Sequence, residues 1–257
     1  MQTVFYRDLG YMDYKAAWDF QTAVHKQLVE RKLQHRHESP ASLSQAHELI
    51  LVEHPPVFTL GKSGTLDHLL LDKAGLDELG IQFYPINRGG DITFHGPGQI
   101  VGYPILDLEC FYTDVHRYVR SIEEVIIRTL AEYGLEGIRI KEYTGVWLEG
   151  PPQRVISGEE HVFFARRRKI CAIGVHLSRW VSLHGFAFNI NTDLRFFDYI
   201  VPCGIRDGDK NVTSLARELG RQINPEAVKS RLKAHFADVF SCHLQDVVSQ
   251  PISTSHE

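Results

Sequence analysis

The sequence predicts an α/β protein of the α+β type, with mixed β-sheets flanked by helices. Three observations carry that expectation. Val115, Val119, Ile122, Ile126 and Leu130 recur at helical spacing along one segment. From residue 144 to 201 the pattern changes to short runs rich in β-branched and aromatic residues, as in a strand meander. Leu49-Ile50-Leu51-Val52 is a continuous apolar run stopped by Pro55-Pro56, which reads as a buried strand. Such strands need helices to cover them.

Residues 2–9 alternate weakly and predict a strand. A helix is expected over 13–36, where Ala17, Val24 and Leu28 keep a 3.6-residue period beside Tyr14 and Phe20. The polar stretch 34–47, with His35, His37 and His47, reads as solvated surface. Strands follow at 49–54 and 57–60, then a loop and short helix over 63–80. Residues 81–86 alternate as a strand and run into Arg88-Gly89-Gly90. The apolar segment 100–108 contains Pro104, which places it at a sheet edge or in an irregular strand.

The clearest helix is 113–133, with Thr113 as the expected N-cap and Gly134 as its stop. Strands are expected at 144–148, 161–164, 169–177, 180–189 and 196–201. The insert 149–160, with Pro151-Pro152 and Ser157-Gly158, reads as a hairpin loop. Residues 213–219 fit one or two helical turns. A last helix spans 225–240, capped by Asn224, started by Pro225 and packed through Val228, Leu232, Phe236 and Val239. This organisation predicts one domain over 1–245, with a small C-terminal subdomain from about 205 and a frayed tail at 246–257.

Composition narrows the function classes. The 257 residues hold 28 Lys+Arg against 32 Asp+Glu, a net charge of −4, so nothing favours nucleic-acid binding. Apolar residues make up 43%, enough for a sizeable core and too many for a disordered chain. Four cysteines, 110, 171, 203 and 242, are too sparse for a disulfide scaffold. No run approaches the roughly 20 apolar residues of a membrane span, and no signal-peptide pattern opens the chain. The expectation is a cytoplasmic protein with reduced thiols and no membrane partner.

Three segments carry candidate chemistry. Arg88-Gly89-Gly90-Asp91-Ile92-Thr93-Phe94-His95-Gly96-Pro97-Gly98-Gln99 concentrates glycines around one histidine, which lets a ligand approach the backbone closely. It lacks the Lys-Ser or Lys-Thr of a phosphate loop and the spacing of a dinucleotide fingerprint. Val201-Pro202-Cys203-Gly204 places a thiol next to a small residue, although a lone cysteine more often serves as a small hydrophobe. Lys169 opens the apolar run Lys169-Ile170-Cys171-Ala172-Ile173-Gly174, and a lysine near a thiol favours the thiolate. Such a pair can pass a proton during acyl exchange. His184-Gly185, followed by Phe186-Ala187, reads first as a core or supporting histidine. The histidines lack a close helical pair, so no metal site is expected.

Taken together these blocks resemble the lipoyl(octanoyl) transferase family of lipoate biosynthesis. The resemblance spans roughly residues 5–240. It rests on the glycine-rich block 88–104, on Thr144-Gly145-Val146-Trp147, on 169–175, on Leu183-His184-Gly185-Phe186-Ala187-Phe188-Asn189, and on Val201-Pro202-Cys203-Gly204-Ile205. It implies a fold similar to the catalytic domain of biotin and lipoate protein ligases. It also implies transfer of an octanoyl group from octanoyl-acyl carrier protein to a lysine of a lipoyl domain, through a cysteine thioester. The acceptors implied are the lipoyl domains of 2-oxoacid dehydrogenase complexes and the glycine cleavage H protein. Cys203 matches the nucleophile and Lys169 its partner base. Arg88, Gly89, Gly90, His95, Gly96, Gly98, Gly174, His184, Gly185 and Ala187 match substrate-binding positions. Cys171 stands where the family more often has alanine, and the 150–168 insert is longer and more basic than the family pattern.

Because a thioester donor already carries the energy for amide formation, no cofactor is expected. The rival reading is an ATP-dependent lipoate or biotin ligase of the same fold, which makes an acyl-adenylate and needs no acyl-carrying cysteine. A third is a non-enzymatic acyl-binding module. Arg166-Arg167-Arg168 is the candidate surface for steering an acidic carrier protein.

Overall fold

The computed structural model describes residues 1–35, 47–141, 143–157, 160–201 and 210–247. Most of the polar 34–47 stretch, the tail from 248 and the Cys203 segment lie outside the described residues.

Strand β1 (Gln2–Tyr11) leads to helix α1 (Tyr14–Gln34), whose N-cap Asp13 accepts from the backbone N–H groups of Lys15 and Ala16. Strands β2 (His47–Glu53) and β3 (Val57–Leu60), the short helix α2 (Lys73–Glu78), and strands β4 (Gln82–Pro85), β5 (Ile92–His95) and β6 (Gln99–Ile105) follow. Then come helix α3 (Val115–Ala131), strands β7 (Gly137–Ile140), β8 (Tyr143–Ser157), β9 (Glu160–Ser178) and β10 (Val181–Asn189), and strand β11 (Lys210–Val212). Helices α4 (Leu215–Leu219) and α5 (Pro225–Val239) and strand β12 (Cys242–Asp246) complete the order.

Among the described residues the large sheet runs β12-β1-β2-β6-β10-β9-β8-β7, with β11 paired parallel to β9. A small sheet, β4-β3-β5, stands beside it. The mixture is genuine: β1 pairs parallel with β2 and β12, while β2, β6, β10 and β9 pair antiparallel in turn.

The central strands are covered on both faces, which is why β2 reads as a continuous apolar run rather than an alternation. Leu49 and Leu51 join the core beneath α3 and α5. Ile50 and Val52 join the core beneath α1, with Ala17, Val24 and Leu28. β10 divides likewise, Phe186 and Phe188 to the first core, Leu183 and Ala187 to the second.

Several expectations are corrected. Segment 100–108 is no edge: β6 lies between β2 and β10. Pro104 is tolerated there because the β10 ladder has already ended at Gly102. Side chains take over, the hydroxyls of Ser182 and Tyr118 donating to the Pro104 carbonyl at 2.8 and 3.1 Å. The cap of α3 is Asp114, which accepts from Arg117 N–H at 2.9 Å, and Val115 at the helix start is exposed.

The insert 149–160 is no simple loop. β8 and β9 keep pairing through Pro152–Ala165 to Ser157–Glu160, so the separate strands expected at 161–164 and 169–177 form one. Residues 194–199 form a 3-10 helix rather than a strand, with the Phe196 ring stacked on Phe94 at 4.6 Å. Strands β5, β7 and β12 were not expected, although Ile92 and Phe94 of β5 alternate into the core. β12 pairs with β1, and α5 contributes Val228, Leu232 and Phe236 to the same core as α3.

Candidate active site

A cleft of about 440 Å³ opens where the 88–91 loop of the small sheet meets β9 and β10. The loop is laid directly across β9, Gly89 N–H donating to the Val175 carbonyl at 3.0 Å. Only a residue without a side chain permits this approach: a Cβ on Gly174 would lie 2.7 Å from the Gly89 oxygen. Gly185 serves the next strand in the same way, since its Cβ would lie 2.1 Å from the Gly102 oxygen. Glycine spacing in the sequence thus records two crossings of backbone on backbone.

Arg88 is buried and fixed. One guanidinium nitrogen donates to the Thr59 carbonyl and hydroxyl at 2.7 and 3.0 Å, another to the Gly89 carbonyl at 3.0 Å. Its charge therefore sits at the cleft wall with little freedom. Two buried histidines, His95 and His184, line the cleft with it, and a third, His54, lies beside His95 with ring centroids 6.1 Å apart. His95 faces the Gln99 amide oxygen through Nδ1 at 2.9 Å and stacks on the Tyr14 ring. His54 contacts the Met12 carbonyl and the Tyr103 hydroxyl, both at 2.9 Å. His184 contacts Asn87 Oδ1 at 2.8 Å, while its backbone N–H donates to Gln21 Oε1 at 3.1 Å. That second bond holds His184 at φ +62°, a left-handed conformation costly for a residue with a side chain.

Burial pushes His95 and His184 down to about 3 and His54 down to about 4, with the Arg88 charge adding to the effect at His95 and His184. All three are neutral near pH 7. They offer hydrogen bonds rather than charge.

Lys169 lies on the floor, buried, with its ammonium 4.6 Å from the centre of the Trp147 ring. Its backbone carbonyl accepts from Thr213 N–H at 2.9 Å, where β11 runs beside β9. A second, smaller pocket adjoins it, lined by Thr93, Ala172, Ala187, Phe197 and Val212. Val101, Val119, Ile173, Val175 and Phe186 give the main cleft its apolar wall, while Ser63, Asp91, Thr93, Tyr143 and Thr144 add polar groups. A cleft that combines an apolar wall with a cation and fixed polar groups suits an acyl chain with a polar head.

The structure therefore brings Arg88, Gly89, Gly90, His95, Lys169, Gly174, His184, Gly185 and Ala187 to one cleft. Gly96 and Gly98 do not line it. Gly96 packs over the Phe94 ring and Gly98 against Asn191, in the turn that delivers Gln99. Cys203 lies outside the described residues. Of the other thiols, burial pushes Cys110 and Cys242 up to about 11 and Cys171 higher still.

Sequence reasoning missed His54, Tyr103, Gln21 and Asn87. Glu53-His54-Pro55-Pro56, an ionisable residue closing an apolar strand, was the available signal for the first. The basic run also looks different in place. Arg167 pairs with Glu149 at 3.0 Å, and Arg168 makes a two-pronged pair with Glu218 at 2.7 and 3.0 Å. Among the described residues no cluster of His, Cys, Asp and Glu could hold a metal ion, and no helix is long and apolar enough to cross a membrane.

Fold and cleft define a class: an α/β domain with one cleft that gathers Arg88, Lys169 and two buried histidines. Residues 13–237 match the lipoyl protein ligase A/B catalytic domain. The octanoyltransferase of Flavobacterium psychrophilum is 51% identical over 243 residues, covering 94% of this chain and 98% of that protein. Among solved structures, a bipartite lipoate protein ligase of Thermoplasma acidophilum, described with its E2 lipoyl domain, superposes with a TM-score of 0.64 at 12% identity, over 98% of this chain and 89% of its own. A lipoate-protein ligase A bound with ATP superposes at 0.62 with 14% identity, over 98% and 90%. The chain belongs to the lipoyl protein ligase A/B catalytic domain family, and it is an acyltransferase of the octanoyltransferase kind.

Proposed function

We propose that this chain moves an octanoyl group from octanoyl-acyl carrier protein to a lysine of a lipoyl domain, in two thioester-to-acyl steps on Cys203. The observation that carries this is the placement of Lys169: a buried ammonium lining the cleft, its backbone bonded to the strand that follows the Cys203 segment. The high identity to octanoyltransferases supports the same reading. So does the chemistry of the remaining cysteines, whose burial disfavours thiolate.

In the first step Cys203 reacts as a thiolate, its proton held on the Lys169 ammonium, and the sulfur attacks the thioester carbonyl. The tetrahedral intermediate collapses, the S–C bond to the carrier breaks, and the carrier thiol leaves with the proton. In the second step the acceptor lysine amine attacks the Cys203 thioester. The amine's proton passes to Lys169, the thiolate leaves, and an amide remains. Both steps are electron-neutral acyl exchanges, so no nucleotide enters. A backbone N–H aimed at the developing oxyanion is worth about 3 kcal/mol. The slot reads chain length at about 0.8 kcal/mol per buried CH₂, a modest discrimination.

Intact-mass measurement after mixing the protein with octanoyl-carrier protein, without ATP, tests the reading. One octanoyl adduct is expected, lost in Cys203→Ala while the variant keeps its fold. An adduct that persists in this variant assigns the step to another thiol. Product from free octanoate with ATP and magnesium would move the chain to the ligase chemistry.

A further inference from the structure

Two buried amides outside the candidate set connect the two sides of the cleft. Gln99, almost fully buried, presents its oxygen to His95 Nδ1 at 2.9 Å. Its amide nitrogen donates to the Phe94 carbonyl at 3.1 Å and to Asn189 Oδ1 at 2.9 Å. The Asn189 amide nitrogen in turn donates to the Thr213 carbonyl at 3.0 Å. Thr213 N–H donates to the Lys169 carbonyl at 2.9 Å, and its hydroxyl to Glu218 at 2.6 Å. His95, Gln99, Asn189, Thr213 and Lys169 are all buried.

The directions of the bonds along this chain are determined. Gln99 must donate toward the Phe94 carbonyl, because a carbonyl only accepts. Its oxygen is therefore the atom facing His95, and His95 Nδ1 must carry the proton. Nε2 then has only its lone pair to offer. Among the described residues it meets the Thr59 hydroxyl at 3.4 Å, a long contact that a stronger donor in the cleft would replace.

We propose that Gln99 and Asn189 are positioning residues for the acyl-transfer reaction: they hold His95 as the Nδ1–H tautomer, with Nε2 an acceptor on the cleft, and clamp the backbone at Thr213 against Lys169. This rests on the acyltransferase reading for its effect on rate, but not for the tautomer. A half-satisfied chain would be worse than none, since each buried amide left unpaired loses its full hydration. The two residues therefore act as one device, from the glycine-rich turn to the strand beside Lys169.

Selective [¹⁵N]histidine labelling and long-range ¹H–¹⁵N spectra of the unaltered protein test the tautomer without any substrate. His95, identified by the signal lost in His95→Gln, is expected as Nδ1–H and unchanged between pH 5.5 and 8.5. An Nε2–H signal overturns the proposal. Gln99→Glu keeps the acceptor but adds a carboxylate against an imidazole otherwise faced by His54, Arg88, His184 and the Tyr14 ring. A His95 titration should then appear in that pH window, with kcat following it. Asn189→Asp loses the bond to Thr213, and kcat should fall about tenfold, the cost of one buried hydrogen bond, with KM for octanoyl-carrier protein within twofold. An unchanged kcat in a folded Asn189→Asp overturns the clamp. If the tautomer is as stated but no variant or parent transfers octanoyl, the reaction assignment fails and the positioning of His95 stands.

Discussion

Helices α1 and α3 cover opposite faces of the same sheet, and they were built for different ends. Along α3 the buried set is Tyr118, Ile122, Val125, Ile126 and Leu130, with two polar members, Glu123 and Thr129. Thr129 donates to the Val125 carbonyl one turn back. Glu123 accepts from Arg120 at 2.6 Å, Arg139 at 3.1 Å and Gly145 N–H at 3.2 Å. Along α1 the buried residues are Tyr14, Ala17, Gln21, Val24 and Leu28, spaced three and four apart. Its polar members are not turned inward on the helix: Gln21 holds the backbone of His184, and Tyr14 carries the His95 ring. α3 builds mainly core and meets the cleft through Val119. The other spends two of its five buried positions on the cleft, and its apolar signal is weaker for that reason.

The comparison is broken most severely at Lys169, on the cleft side of the sheet. Lys169→Ala should lower acyl uptake and transfer by about 10²–10⁴-fold, the usual loss of a positioned proton carrier, with the melting curve little changed. Lys169→Arg should not restore the rate, because a guanidinium does not release a proton near neutrality. Stopped-flow acylation with octanoyl-carrier protein measures both, and a fully active Arg variant would leave Lys169 with charge support alone. On the α3 side the reverse split is expected. Ile126→Ala should cost about 2–5 kcal/mol in urea unfolding, with activity per folded molecule unchanged. Gln21→Leu joins the two behaviours. It strands the His184 N–H in a buried site, so about 1–3 kcal/mol of stability should go together with a measurable fall in kcat.

A third outcome concerns pH. Burial holds His54 and His47 at about 4, and His95 and His184 at about 3, against about 6.5 in an unfolded chain. The unfolded state therefore binds more protons below pH 6.5. Stability is complete above that value and falls as pH drops toward 4, by at most about 1.4 kcal/mol per pH unit for each histidine. Urea unfolding at pH 7.5, 6.5, 5.5 and 4.5 should trace this loss. His47 contacts the backbone of Asp107 rather than the cleft, so His47→Gln should flatten the slope without changing the acylation rate. An unchanged slope would mean that His47 titrates normally in the folded protein.

Legibility in the sequence followed the same division. The stripe of α3, the continuous run of β2 and the glycine-rich turn were readable because each is a local pattern with one cause. Central placement of β6 was not, because Pro104 argues for an edge and the hydroxyls that excuse it come from Ser182 and Tyr118, far along the chain. The 3-10 turn at 194–199 deceived through its aromatic content, which packs the small sheet instead of forming a strand. Lys169, Arg88, His95 and His184 were found through motif blocks. Gln21 and Asn87 were invisible, since a single amide in a helix or turn has no pattern until its partner is known.

The smallest effects belong to the basic run, and they separate a steering surface from a structural brace. Arg167 and Glu149 are each about two-fifths exposed, 40% and 41%, and pair with one another. An exposed pair of this kind contributes about 0–1 kcal/mol, and its two charges cancel at a distance. Arg167→Gln should therefore leave stability, KM for octanoyl-carrier protein and its salt dependence nearly unchanged. Arg168 is less exposed, and its partner Glu218 also accepts from the Thr213 hydroxyl, which is tied to Lys169 through the backbone. Removing that guanidinium leaves Glu218 with one donor and loosens the strand beside Lys169. Arg168→Gln should thus lower kcat slightly, by about twofold to fivefold for one weakened charge-assisted contact, while KM and its salt slope stay put. Steady-state kinetics at two salt concentrations distinguish the cases. A raised KM with a shallower salt slope in either variant would restore the steering role, because only a long-range field responds to ionic strength in that way.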